Sequence, residues 1–281
     1  MSRIVHLNGQ FLPEEEAKVS VFDRGYLFAD GVYEVTAVID GRLIDYEPHA
    51  ERLDRSLREL SMAWPVSRGA LREVHEELLR RNGFREGRIY MQVTRGVAER
   101  DFAYPAGVPT SLLAFPQIAP VVANPKAETG VRVVTMPDIR WKRRDIKSIA
   151  LLAQCMGKQQ AVEAGAYEGW MVEDGLVTEG TSSTAYIVKE DRIITRPLSN
   201  AILPGVTRRS ILKLAAERGI ALEERPFTPA EAYAADEAFL TSASSFVMPV
   251  VEIDGKRIGG GQPGPLTRRL REIYLEAALA G

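Results

Sequence analysis

Cysteine is the rarest residue of this 281-residue chain, since it occurs once, at Cys155. One thiol forms no disulfide within the chain, so we expect a reducing compartment and a cytoplasmic location. Cys155 lies in the apolar stretch Ile149–Met156, where we expect a buried side chain. The histidines, His6, His49 and His75, are scattered, so we expect no metal site.

An excess of charge of one sign is also absent. The chain has 36 basic and 38 acidic residues, a net charge of -2, so no basic excess favours a nucleic acid partner. The longest apolar runs are far too short for a membrane span, and Met1–Gln10 lacks the apolar segment of a signal peptide. With 45% hydrophobic residues, the composition is that of an ordinary globular protein.

Several common catalytic motifs are missing. The chain has no Gly-x-Gly-x-x-Gly after a strand, no P-loop and no Gly-x-Ser-x-Gly. Hydride transfer, phosphoryl transfer from ATP and hydrolysis by a triad therefore lose support.

Strand and helix patterns mix without a regular alternation, which predicts an α+β fold. Strands are expected at Arg88–Arg95 and Val131–Met136, and helices at residues 48–62 and 148–164. A further helix is expected to begin after Ser67, its N-cap, and to end near Gly83, with leucines on its buried face. We predict two domains: a small N-terminal α+β domain over residues 1–118, a linker over 119–125 and a larger C-terminal α+β domain over 126–281.

Three segments could carry chemistry. Lys147 follows Asp145 and Ile146 at the predicted start of an apolar helix, where desolvation and the nearby Arg140 and Arg144 would lower its pKa, as an imine-forming amine requires. Most lysines are solvated surface groups, so this position alone is a weak signal.

The second segment, Val177–Ser183, is followed by Leu203–Arg208 and Leu240–Ser244. Residues 205–207 open a predicted helix, whose free N–H groups and Thr207 hydroxyl could hold a phosphate. The more common interpretation of these three segments is a capped helix between polar turns, without a phosphate. The third segment is Asp23–Val35. Its Tyr33 and Glu34 would point to opposite faces of a strand, and the more common interpretation of Tyr33 is a tyrosine of the core.

Taken in order, these motifs resemble the fold-type IV pyridoxal phosphate (PLP) transaminases and, within them, the D-amino-acid aminotransferases. The motifs are Asp-Arg-Gly-Tyr, Gly-Val-Tyr-Glu-Val, Tyr-Met-Gln-Val-Thr-Arg-Gly, Asp-Ile-Lys-Ser, Thr-Glu-Gly, Leu-Pro-Gly-Val-Thr-Arg and Leu-Thr-Ser. The resemblance runs from about residue 4 to about residue 275.

The resemblance implies PLP as the cofactor, lying between the two domains, and Lys147 as the residue that holds it as a Schiff base. It also implies that Glu179 bonds the pyridine nitrogen and that Arg52 pairs with the phosphate, although by pattern Arg52 reads as a solvated helix residue. The other implied cofactor contacts are Thr181, Ser182, Leu203, Val206, Thr207, Ser242 and Ala243.

The resemblance further implies an amino donor and a 2-oxo acid as substrates, and a homodimer in which one loop reaches the other subunit's site. The implied substrate residues are Tyr33, Tyr90, Arg100, Phe102 and Ser183. Arg100 matches the family's Arg-x-His pair, but Phe102 stands where the pattern has histidine. This departure leaves the carboxylate trap incomplete and opens the pocket to apolar groups.

Other functions stay open. Phe102 makes an (R)-selective amine transaminase the main alternative, and branched-chain transaminases and aminodeoxychorismate lyase share the fold. Outside the enzymes, the chain could be a PLP-binding module without turnover, against which the presence of Lys147 and Glu179 argues, or an α+β protein without a cofactor.

Overall fold

The computed structural model describes residues 2–280, which divide into two units. The described part of the N-terminal unit comprises residues 2–121 with Ile146–Ala150, and that of the C-terminal unit comprises Val122–Asp145 with residues 151–280. The change of unit after Val121 falls within the predicted linker. From the sequence we expect Ile146–Ala150 in the second domain, but its backbone hydrogen bonds attach it to the N-terminal unit.

A six-stranded antiparallel sheet is the centre of the N-terminal unit. Its strands are β1 (Ile4–Leu7), β2 (Gln10–Pro13), β3 (Gly31–Ile39), β4 (Arg42–Leu43), β5 (Gly87–Thr94) and β6 (Ser111–Ile118). They lie in the order β2-β1-β6-β5-β3-β4. The helices are α1 (Arg24–Phe28), α2 (Tyr46–Glu59) and α3 (Arg68–Asn82).

Helical spacing of leucines explains how α2 and α3 cover this sheet. Leu53 and Leu57 of α2 and Leu71 and Leu78 of α3 are buried in one cluster with apolar residues of β5. The predicted ends of α3 are confirmed, because the Ser67 side chain accepts a hydrogen bond from the backbone N–H three residues later and the C-cap glycine adopts a left-handed conformation.

The C-terminal unit is built on a nine-stranded mixed sheet. Its strands are β7 (Val131–Pro137), β8 (Glu168–Glu173), β9 (Leu176–Gly180), β10 (Thr184–Lys189), β11 (Arg192–Thr195), β12 (Ala221–Glu224), β13 (Glu237–Ser242), β14 (Phe246–Ile253) and β15 (Lys256–Arg257). Their order is β12-β11-β10-β13-β14-β7-β8-β9, with β15 beside β14. Three pairs are parallel, namely β11 with β12, β14 with β7 and β7 with β8.

Five helices belong to this unit: α4 (Pro125–Thr129), α5 (Leu152–Glu163), α6 (Val206–Glu217), α7 (Pro229–Tyr233) and α8 (Pro265–Ala280). Trp170, Phe227, Leu240 and Met248 lie in its main apolar cluster. Antiparallel and mixed sheets with helices outside a regular alternation confirm the predicted α+β class.

Two local predictions around α5 are wrong. The helix begins at Leu152 rather than at residue 148, because the preceding residues extend along β3 instead. Cys155 is exposed rather than buried. Leu152 and Met156 on the same helix are exposed as well, whereas its buried residues are Gly157 and Ala161, so the apolar stretch does not face the core.

Candidate active site

Lys147 lies in an extended segment that is fastened to β3. Its carbonyl accepts a hydrogen bond from the Tyr33 N–H at 3.0 Å, and the Ile149 N–H donates to the Gly31 carbonyl at 3.0 Å. Its own N–H donates to Ser56 Oγ at 3.3 Å. A Cβ at Gly31 would lie 2.6 Å from the Val93 carbonyl oxygen, so this close approach requires glycine.

The Lys147 ammonium lies over an aromatic surface. Its Nζ is 4.1 Å from the ring centroid of Tyr33, a cation–π distance. Tyr33 stacks on Tyr90 with centroids 5.6 Å apart, and Tyr90 stacks on Phe115 at 4.9 Å. Burial raises the pKa of Tyr90, so its phenol stays neutral, and its hydroxyl donates to Gln92 Oε1 at 2.9 Å. The structure thus brings Lys147, Tyr33 and Tyr90 into one cluster.

Glu34 joins two helix residues on the opposite face of β3, as the alternation predicts. It accepts hydrogen bonds from Arg52 Nε at 2.8 Å and Arg52 Nη2 at 2.7 Å, and His49 Nδ1 lies 2.7 Å from its Oε2. Burial opposes ionisation, but Arg52 and His49 outweigh it and lower the pKa of Glu34 to about 2. Arg52 is only 9% exposed, so it is not the solvated helix residue that its pattern indicates.

Glu179, at the end of β9, is the second acidic centre. Its Oε1 accepts from Arg140 Nη1 at 2.5 Å, and its Oε2 accepts from the Leu203 N–H at 3.1 Å. Burial raises the pKa of Glu179 although Arg140 opposes the shift. The bond to the Leu203 N–H brings together two of the predicted cofactor residues.

Asp138 holds the other side of Arg140. Its Oδ1 accepts from Arg140 Nε at 2.9 Å, its Oδ2 accepts from Arg140 Nη2 at 2.7 Å, and the Thr178 hydroxyl donates to the same Oδ2 at 2.6 Å. Arg144 pairs with Glu173 at 2.8 Å. Arg140 and Arg144, the two arginines expected to lower the pKa of Lys147, are therefore both paired with carboxylates of the C-terminal unit.

Glu168 organises the turn that follows Glu179. Its carboxylate accepts from the Thr181 hydroxyl at 3.1 Å, from the Ser182 N–H at 2.5 Å and hydroxyl at 2.9 Å, and from the Ser183 hydroxyl at 2.9 Å. Three predicted site residues thus share one buried acceptor. A Cβ at Gly180 would lie 2.3 Å from Ser183 Oγ, so the turn leaves no room for a side chain there.

The start of α6 has the features of an anion site. Gly205 is its N-cap, and no side chain caps the helix. Within residues 2–280, no side chain accepts from the N–H groups of this first turn, where Val206 and Thr207 are buried, and such an arrangement fits a phosphate. Ser242 is the last residue of β13 and Ala243 lies in the turn that follows, where Ser242 Oγ accepts from the Ser245 N–H at 3.2 Å.

Arg100 and Phe102 lie in the segment that follows β5. The Arg100 guanidinium carbon is 5.4 Å from the ring centroid of Phe28 and 5.6 Å from that of Phe102, which is 79% exposed. Arg24 Nη1 donates to the Asp101 carbonyl at 2.5 Å and Arg24 Nε to Asp30 at 2.8 Å. A buried ion pair therefore anchors this segment at its base.

Comparison with known proteins decides the family. The sequence profile of amino-transferase class IV matches residues 31–253, more than half of the chain. The chain belongs to this family. It is 42% identical to the D-alanine aminotransferase of Bacillus licheniformis, over 98% of the chain and 97% of that protein. It is 40% identical to the D-alanine aminotransferase of Staphylococcus haemolyticus, over 96% of each.

A solved class IV structure has the same fold. The branched-chain aminotransferase of the archaeon Thermoproteus uzoniensis, solved with norvaline, is 28% identical and covers 100% of the chain and 96% of its own, with a TM-score of 0.87. The expected fold-type IV architecture is therefore confirmed, and this class IV chain is an aminotransferase. Among residues 2–280 there is no helix long and apolar enough for a membrane span and no cluster of metal-ligand side chains.

Three residues of these clusters were not predicted from the sequence. Arg140 serves as the partner of Glu179, Glu168 holds the turn after it, and Glu34 binds Arg52. Strand alternation places Glu34 on the face opposite Tyr33. From that position, a contact between Glu34 and an arginine of the neighbouring helix could have been predicted. The bonds of Glu168 to the turn and the bond of Arg140 to Glu179 leave no local signal, because the bonded residues lie 13–15 and 39 positions apart along the chain.

Proposed function

We propose that this chain is a PLP-dependent transaminase that moves an amino group between a D-amino acid such as D-alanine and a 2-oxo acid. The observation that carries the proposal is the full-length similarity to enzymes named D-alanine aminotransferase, at 40–42% identity. The cluster of Lys147, Tyr33 and Tyr90 supports it, because an amine held in place beside an aromatic wall suits covalent attachment of an aldehyde.

The cofactor is pyridoxal 5'-phosphate, which supplies an electron sink for the substrate α-carbon. Lys147 would hold the cofactor through its Nζ, and the same amine could take and return the proton of the substrate α-carbon. The Glu179 carboxylate would bond the pyridine nitrogen of the cofactor. Burial disfavours ionisation of the Glu179 carboxylate, and Arg140 is the cation that already opposes this effect. A protonated ring nitrogen would be a second cation beside Glu179, so the carboxylate and the ring nitrogen would stabilise each other's charge.

The remaining predicted contacts bind and orient. Arg52 would bind the phosphate by charge. The N–H groups at Val206 and Thr207, at the start of α6, would bind it by hydrogen bonds, and Ser242 with Ala243 would give a second contact. Leu203 would pack against the cofactor ring, and Thr181 and Ser182, in the turn that Glu168 holds, would also contact the cofactor. Fixed orientation is a large part of what a protein contributes to such a reaction.

Tyr33, Tyr90 and Ser183 would contact the substrate, and Tyr33 and Arg100 would bind its carboxylate. We propose a cytoplasmic homodimer in which the loop with Arg100 and Phe102 completes the partner's site. Three apolar side chains of this loop are exposed on the single chain, namely Val97, Phe102 and Tyr104. This supports the proposed role, because a group of exposed apolar side chains commonly marks an interaction surface.

Turnover of (R)-amines is the second candidate function. Phe102 offers no hydrogen bond to a carboxylate and stands beside Phe28 and Arg100, which favours an apolar or aromatic group. Branched-chain and lyase activities have support only from the shared fold.

A half-reaction series separates these functions. The purified protein is mixed with D-alanine, L-leucine and (R)-phenylethylamine in turn, and the loss of the aldehyde-form absorbance of the cofactor is followed. We expect D-alanine to react fastest. Fastest reaction with L-leucine would refute the proposal, and no reaction with any donor would favour a binding module.

The variant Phe102→His tests the departure from the family pattern. It restores a hydrogen-bond donor for a carboxylate, so kcat/KM for D-alanine should rise relative to that for (R)-phenylethylamine by about ten-fold, the effect of one good hydrogen bond. Phe102→Leu is the matched control, because it removes the ring without adding a donor. Equal effects of the two variants would mean that Phe102 does not set carboxylate recognition.

A further inference from the structure

A buried carboxylate beside the arginine proposed to bind the phosphate needs an explanation. Glu34 reduces the positive charge that Arg52 offers to an anion, so a phosphate site without it would attract its ligand more strongly at long range. Arg52 is nevertheless 9% exposed and Glu34 is 2% exposed, so the pair is almost removed from solvent. A buried pair of this kind serves geometry better than long-range attraction.

The geometry of the pair fixes the guanidinium in its plane. Arg52 uses Nε and Nη2 in two nearly parallel bonds of 2.8 and 2.7 Å to the two oxygens of Glu34. Glu34 itself comes from the central part of β3, and Arg52 from the middle of α2, so two regular elements hold both ends of the pair. A side chain with this many rotatable bonds has little freedom left.

His49 fixes the carboxylate from a second direction. It lies one helical turn before Arg52 on α2, and its Nδ1 is 2.7 Å from Glu34 Oε2. Burial lowers the pKa of His49, so the ring is neutral at neutral pH and its Nδ1–H donates to the carboxylate. The carboxylate can then neither rotate nor exchange its arginine without breaking a buried bond.

We infer that Glu34, fixed by His49, is a positioning residue that sets the orientation of the Arg52 guanidinium for the phosphate of the cofactor. The inference rests on the proposed function, since it requires PLP as the ligand. Neighbouring residues of β3 then have different roles. Tyr33 contacts Lys147 on one face of the strand, and Glu34 orients Arg52 on the other.

Comparison of PLP with pyridoxal, which has the aldehyde and the ring but no phosphate, tests the inference. Each is titrated into cofactor-free protein, and the dissociation constant is read from the absorbance that forms when the aldehyde condenses with Lys147. Pyridoxal also forms an internal hemiacetal in solution, but this equilibrium is the same for every variant and cancels between variants.

Two substitutions separate positioning from charge. Glu34→Gln removes the charge and one acceptor, whereas Glu34→Asp keeps the charge and shortens the side chain. If Glu34 positions Arg52, both variants bind PLP about ten-fold more weakly and bind pyridoxal within about two-fold of the unaltered protein. Tighter PLP binding by Glu34→Gln, with no change in Glu34→Asp, would mean that Glu34 only offsets charge, and would overturn the inference.

Asp30→Asn is the matched control. Asp30 is a largely buried carboxylate of the same unit that accepts two bonds from Arg95 and one from Arg24, so its loss weakens a similar ion cluster. Its effects on PLP and pyridoxal should be equal. Equal losses of both ligands in the Glu34 variants would show a general structural role and overturn the inference. Failure of the unaltered protein to bind either ligand would instead refute the proposed function.

A double variant keeps the test decisive if one substitution lowers stability, which a melting curve reports. Arg52→Gln alone should weaken PLP binding, and adding Glu34→Gln to it should cause no further loss, because there is no guanidinium left to orient. Independent losses that multiply in the double variant would contradict the positioning role.

Discussion

Acidification should destabilise the N-terminal unit through His75, and the substitution His75→Leu should remove that sensitivity. His75 is 1% exposed on α3, its Nδ1 lies 2.8 Å from the Leu71 carbonyl, and its ring meets the Tyr46 ring edge-on at 5.4 Å. Burial lowers the pKa of His75 from 6.5 to about 4. The native state therefore keeps the imidazole neutral well below the pH at which the unfolded chain protonates it.

The sign and size of the effect follow from those two pKa values. Between pH 6.5 and pH 4 the unfolded chain binds a proton that the folded chain does not, so stability falls as the pH falls, and no further loss from this group occurs below pH 4. At pH 4.5 the loss relative to neutral pH is about 2.5 kcal/mol, at about 1.4 kcal/mol per pKa unit.

Urea unfolding at several pH values from about 7.5 to about 4.5 measures the effect, with both proteins in the same state of cofactor loading. The loss of stability on acidification should be about 2.5 kcal/mol smaller in His75→Leu than in the unaltered protein. Val74→Ala, on the same helix, is the control, because it truncates a buried side chain without removing a titrating group. An unchanged pH dependence in His75→Leu would refute the reasoning.

Two further predictions concern the C-terminal unit. Gly180→Ala should lower the free energy of unfolding by about 1–3 kcal/mol, because the new Cβ would lie 2.3 Å from Ser183 Oγ. Gly69→Ala, in open space on α3, is the control and should not lower it. Equal melting temperatures of the two variants would contradict this prediction. Glu179→Gln should slow the half-reaction with D-alanine about 100-fold or more while the cofactor stays bound, since the charge facing the pyridine nitrogen is lost; an unchanged stopped-flow rate would contradict this role.

Much of the N-terminal unit could be predicted from the sequence because its signals are local. Ser67 and Gly83 mark the ends of α3 as predicted, and leucines at helical spacing mark its buried face. The alternation of Tyr33 and Glu34 across β3 also holds. These patterns depend on neighbours within a few residues, which a single sequence contains.

The course of the chain around Lys147 could not be predicted, because it depends on a distant partner. The apolar residues after Lys147 are compatible with a helix, but backbone bonds to Gly31 and Tyr33, more than 100 positions earlier, keep the segment extended. Arg140 was expected to lower the pKa of the lysine, yet it pairs with Glu179 and Asp138. Tertiary contacts override local propensity at such positions.

The candidate site was predictable mainly through the resemblance. Spacing alone gave no reason to bury Arg52, and only the family pattern singled it out, whereas the structure supplies the cause in Glu34. Clusters of paired charges at large sequence separation are invisible to periodicity, because any of the 38 acidic residues could be the partner.

The proposed transaminase chemistry depends on attachment of the cofactor to Lys147. Borohydride reduction of the purified yellow protein, followed by peptide mapping, should place a phosphopyridoxyl group on Lys147, and Lys147→Ala should bind no reducible cofactor. A label on a different lysine, or a reduced protein with no label, would contradict the proposed chemistry directly.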